Sequence, residues 1–146
     1  YKAGIVTNLF FILGAPGEGK KEMIKSINFA KKFINVKTVY FLQLTPLVGT
    51  PLYDYIKKKG IKLAEKYPTK NFGLKFDASY VINGMEPKVF KKIFEKAQKT
   101  SEFIKNRFYY REKLLNKGIK IDNVYLLDFI YFIRNLVNTL SQSIKF

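Results

Sequence analysis

FFILGAPGEGKK, residues 10–21, is the stretch whose reading decides the fold. An apolar run enters a glycine-rich turn, and a lysine-rich segment leaves it. Toward the N-terminus, residues 4–13, GIVTNLFFIL, are mostly β-branched or aromatic. They read as a strand buried on both faces, as in a parallel sheet. Gly14 to Gly17 supply the turn. Toward the C-terminus, Met23, Ile24, Ile27, Ala30, Phe33 and Ile34 recur at helical spacing and predict a helix over 18–34. Glu18 suits the positive end of that helix. A second strand follows at 37–44, KTVYFLQL. Residues 4–44 therefore predict a βαβ unit with a right-handed crossover.

Beyond this unit, TPLVGTPLYDYIKKKG punctuates a loop with Pro46, Gly49 and Pro51. Pro51 suits the first position of a short helix, and Gly60 is placed to end it. Residues 61–71 read as loop, and 74–82, LKFDASYVI, as a third strand. Asn83-Gly84 marks a turn. Pro87 opens a helix reaching about residue 111, with Val89, Phe90, Ile93, Phe94, Ala97, Ile104 and Phe108 on its inner face. A break at 116–118 precedes a last helix over 122–142. Asp128, Arg134 and Asn138 interrupt that helix, which argues against a transmembrane span. The division expected is 1–83 for the βα units and 84–146 for a helical extension.

Composition removes most enzyme classes. The 146 residues contain neither cysteine nor histidine. Disulfides, thiolate-bound zinc and a cluster held by this chain alone are excluded, as are Ser-His-Asp and Cys-His units. The formal charge of +16 favours phosphate-rich partners and anionic lipid. Nearly all of it is lysine, which suits solvated helix faces as well as nucleic acid, and base readout favours arginine. No secretory leader is expected, and a cytoplasmic location follows. The chain begins with Tyr1, as the interior of a longer protein would.

Gly14, Gly19 and Lys20 also have the spacing of a P-loop. That loop needs Ser or Thr after the lysine to hold magnesium. Lys21 stands there, and the second strand ends in Gln43 rather than an aspartate. Both departures argue against a triphosphate site.

The ordered pair FFILGAPGE, then a helix and strand, then LTPLVGTPLYDY resembles the second half of a radical S-adenosylmethionine enzyme. It is most similar to the branch that carries a cobalamin-binding domain ahead of the radical barrel. FYYREKL, residues 108–114, resembles a helix-ending segment after that barrel. The resemblance spans residues 4–114. Two departures stand out: Gly19 replaces a usual Thr, which removes a side-chain cap, and Val48 replaces a usual Pro.

The resemblance implies an α/β fold, the C-terminal portion of a partial, TIM-like (β/α) barrel, followed by a helical tail. It implies S-adenosylmethionine and a [4Fe–4S] cluster as cofactors of the whole protein. The cluster would sit on a CxxxCxxC motif in an N-terminal remainder, which is the partner expected, together with cobalamin. The isolated chain would be inert. Ile12 aligns with an apolar adenine contact at the end of one strand. Gly14 and Gly17 would let the backbone approach the nucleoside. Glu18 matches an acidic family position, although stabilising the helix start is its plainer role. Leu44 and Thr45 would border the adenine from the next strand, and Thr50 and Tyr53 would fix the loop and the helix rather than perform chemistry. The alternative is a basic α/β module that binds RNA or another polyanion.

Overall fold

The computed structural model describes residues 5–61 and 73–143. The order of elements is β1 (Thr7–Leu13), α1 (Lys20–Ala30), β2 (Val36–Gln43), α2 (Pro51–Lys58), a 3-10 turn (Ala78–Tyr80), α3 (Pro87–Leu115) and α4 (Val124–Ser143). This is a mixed α/β arrangement. β1 and β2 pair in parallel, with Phe10 opposite Tyr40 and Ile12 opposite Leu42.

The strands form because β-branched and aromatic residues fit a pleated, half-buried surface. Side chains alternate between faces, and only one face is covered. Leu13, Val39 and Phe41 are fully buried, packed with Met23, Ile27 and Ala30 of α1 and with Phe90, Ile93, Phe94, Ala97 and Ile104 of α3. Each fully buried Phe or Leu there stabilises the fold by about 2 kcal/mol. On the other face Phe10 and Ile12 stay 65% and 58% exposed. Phe10 stacks on Tyr40 with ring centroids 4.9 Å apart. The expectation of a strand buried on both faces is thus corrected: among the described residues, the second face has no cover.

The two outer edges of the sheet differ. In a parallel ladder, alternate residues direct both N–H and C=O to the same neighbour. The Leu44 N–H donates to the Leu13 carbonyl at 2.8 Å, so even-numbered residues of β2 bond toward β1. Odd-numbered ones face outward, and α3 reaches them. The Gln98 side chain donates to the Phe41 carbonyl at 3.0 Å, and the Ser101 hydroxyl donates to the Val39 carbonyl. The Gln43 N–H donates to the Gly73 carbonyl at 2.8 Å. On β1, Asn8, Phe10 and Ile12 direct their backbone groups outward, and none finds a hydrogen-bond partner among the described residues.

The expected third strand at 74–82 is not one. Gly73 and Asp77 attach to the end of β2, and the chain then turns into the short 3-10 helix, with the Asp77 carboxylate accepting from the Ser79 N–H at 2.9 Å. The Gln43 side chain replaces a strand pairing here. Its amide nitrogen donates to the Asp77 carbonyl, and its amide oxygen accepts from the Asp77 N–H, both at 2.8 Å. Gln43 is 3% exposed, so this pair satisfies an amide that burial would otherwise penalise. The loop expected at 61–71 lies, apart from Ile61, outside the described residues.

Helix ends follow their sequence signals. Thr50 caps α2 by accepting from the Tyr53 N–H at 3.3 Å, and Pro51 opens it. Gly60 follows its end at φ +70°, which suits glycine. Asn123 caps α4 by accepting from the N–H groups of Tyr125 and Leu126. α3 runs antiparallel to the strands, from Phe90 beside Gly14 to Arg107 beside the α1–β2 connection. Arg107, 1% exposed, donates to the carbonyls of Lys31 and Phe33 and pairs with Asp128 of α4 at 3.1 Å. No helix among the described residues is long and apolar enough to cross a membrane.

Candidate functional site at the strand ends

The C-terminal ends of β1 and β2 lie side by side, and the residues expected at a binding site gather there. Gly14 follows β1 at φ +93°, a region that side chains other than glycine's strain to enter. There is a second reason for glycine. A Cβ at this position would lie 2.7 Å from the Phe90 ring. Gly14 thus lets the first turn of α3 close under the strand end. Gly17, at φ +81°, has open space around it.

Glu18 does something other than favour the helix start. Its carboxylate accepts from the Gly14 N–H at 2.6 Å and from the Ala15 N–H at 3.2 Å. The turn therefore folds around its own anion, and two amides that a phosphate would need are already engaged. This adds a geometric argument to the chemical one against a triphosphate loop. The helix itself begins at Lys20, with Gly19 as its cap residue and no side-chain hydrogen bond there, in keeping with the Thr-to-Gly departure. The Asn83 side chain donates to the Glu18 carbonyl at 2.8 Å and ties the turn to the segment before α3.

Ile12 points its exposed side chain from the uncovered sheet face, one residue before the buried Leu13. Leu44 extends the ladder through Leu13, and the Thr45 hydroxyl donates to the Gln43 carbonyl at 3.3 Å. Thr50 caps its helix and also donates to the Leu47 carbonyl at 2.6 Å. The six expected residues, Ile12, Gly14, Gly17, Glu18, Leu44 and Thr45, therefore lie on the two strand ends and their connecting turns.

Gln43, Asn83 and Phe90 were not among the expected site residues, yet they hold this region together. Gln43 carried a usable signal: an amide at a buried strand position must have partners. Among the described residues, no group of His, Cys, Asp or Glu is arranged to hold a metal ion. Neither a family model, nor a curated protein, nor a solved structure matches the chain.

Proposed function

We propose that the chain is the C-terminal part of a radical S-adenosylmethionine enzyme, similar to the cobalamin-binding branch. In this reading it contributes the last two strands of the partial barrel and the adenosyl side of the cofactor site. The observation that supports it is the asymmetry of the sheet. The outer edge of β2 is occupied by Gln98, Ser101 and Gly73, as suits a terminal strand. Among the described residues the outer edge of β1 is open, and the face opposite the helices carries the exposed Phe10 and Ile12, as suits a strand awaiting its neighbour and a barrel interior. The glycine turn and the Thr45 loop stand at the strand ends where such barrels bind ligands.

The residues fit an adenosyl group better than a cluster. Ile12 offers an exposed apolar surface at the strand end, and Gly17 has room for close approach. With no cysteine and no histidine, the chain has no donors suited to a [4Fe–4S] cluster, so the N-terminal remainder would hold it. When bound there, the cluster supplies the electron that cleaves S-adenosylmethionine. The role of this chain is to position: Ile12 against adenine, Leu44 and Thr45 along its border, and Glu18 to keep the turn closed.

The test joins the chain to the polypeptide encoded upstream of Tyr1 and reconstitutes it anaerobically with iron and sulfide. Reductive formation of 5′-deoxyadenosine from S-adenosylmethionine is expected, with Ile12→Asp weakening cofactor binding. An upstream region without CxxxCxxC, or a reconstituted cluster with no cleavage, would overturn the reading.

A further inference from the structure

A groove between α3 and α4 gathers cations and tyrosines. One part is a cavity of about 440 Å³ lined by Tyr110, Lys113, Leu114, Asn116, Lys117 and Arg134. The adjoining part adds Asn106, Tyr109, Tyr131 and Asn135. On α3, positions 106, 110 and 113 recur at helical spacing and share one face, and Lys117 follows in the turn after the helix. No carboxylate lines either part, and none pairs with Lys113, Lys117 or Arg134 among the described residues.

The arginines sharpen this picture. The chain has three. Arg107 and Arg111 are buried and used internally. Arg134 is exposed, lies in the groove, and is held over the Tyr110 ring with its guanidinium 4.8 Å from the centroid. That contact orients the cation without neutralising it. Tyr109, 45% exposed, offers a ring beside the same cations. Cations that track a backbone, joined to an open aromatic face, are the two parts of a site for unpaired nucleotides.

We infer that this groove binds single-stranded nucleic acid, with phosphates on Lys113, Lys117 and Arg134 and a base stacked on Tyr109. The groove lies toward the end of α3 remote from the glycine turn, since Phe90 sits beside Gly14 and Arg107 beside the α1–β2 connection. The inference therefore stands whether or not the strand ends bind an adenosyl group.

The test is fluorescence anisotropy of the whole chain with a labelled oligouridylate of about twelve nucleotides, starting at about 50 mM salt. Three phosphate contacts to a single strand give an expected slope of about −2 in log K against log salt. Lys113→Gln with Lys117→Gln is expected to weaken binding about tenfold, and Arg134→Gln by a similar factor. Tyr109→Ala is expected to weaken it about tenfold through lost stacking, which charge alone would not produce. Lys57→Gln with Lys58→Gln removes the same charge from α2 and is expected to leave binding within about twofold. Thermal melts confirm that these exposed substitutions keep the fold. No binding at low salt, equal weakening by the α2 pair, or an unaffected Tyr109 variant overturns the inference. So does sedimentation with phosphatidylserine vesicles that the oligonucleotide cannot displace.

Discussion

The two edges of one small sheet have opposite fates. Along β2, the outward carbonyls of Val39 and Phe41 accept from α3 side chains, and the Gln43 N–H donates to Gly73. Along β1, Asn8, Phe10 and Ile12 direct backbone groups where the described residues offer no partner. An unpaired strand edge is a template for another strand, whereas an edge covered by side chains is not. Among the described residues, then, the two edges differ: β1 presents an unpaired edge of the kind another strand can join, and β2 does not.

Proline tests this most severely, because it deletes one donor at a chosen place. Phe11→Pro removes an N–H that bonds β2 and also truncates a half-buried ring, so it is expected to destabilise the chain by about 3 kcal/mol or more. Phe10→Pro removes an N–H that faces outward. Its main loss is the stack on Tyr40, about 1 kcal/mol. Chemical denaturation of the two variants measures the contrast, and equal losses would break the comparison.

The closed edge is expected to yield next. A Cβ at Gly73, which has φ +71°, would collide with the Gln43 carbonyl. Gly73→Ala is expected to lose about 2 kcal/mol and to free the Gln43 amide for hydrogen exchange. Gln98→Ala is expected to be milder, about 1 kcal/mol, since it exposes one carbonyl of Phe41. If it also promotes self-association through β2, the cover on that edge is protective as well as stabilising; concentration-dependent sedimentation reads this.

How much of this was legible in the sequence follows from how local each signal is. The βαβ order, the cap at Thr50, Pro51, Pro87 and the break before Gly118 are written in residues that act on their neighbours. The third strand failed because LKFDASYVI has strand-like composition, while Gln43, remote in sequence, captures Asp77 by its side chain and turns the segment aside. One-sided burial of β1 was hidden because Phe10 and Ile12 are as apolar as Leu9 and Leu13. At the site, glycine positions were readable, but the reason for Gly14 lies in Phe90, far along the chain. Glu18 was placed near the helix start by its charge, and its bonds to the Gly14 and Ala15 N–H groups were not legible, because they exist only once the turn has folded.

The smallest expected effect concerns pH. Burial, followed by the nearby Asp77 carboxylate, raises the Tyr80 phenol above its ordinary value. The unfolded chain then loses this proton before the folded one does. Stability from this group is present below the usual tyrosine range and declines as pH rises through it. Tyr80→Phe is expected to flatten that part of the alkaline unfolding profile, measured by circular dichroism.

The most direct test of this contrast, and of the proposed upstream strands, is residue-resolved amide hydrogen exchange, on the chain alone and joined to any polypeptide encoded upstream of Tyr1. The account expects Phe10 and Ile12 amides to exchange fast in the isolated chain and to become protected in the joined protein, while Gln43 is protected in both. Unchanged fast exchange at Phe10 and Ile12 after joining, or fast exchange at Gln43 in the isolated chain, would contradict it.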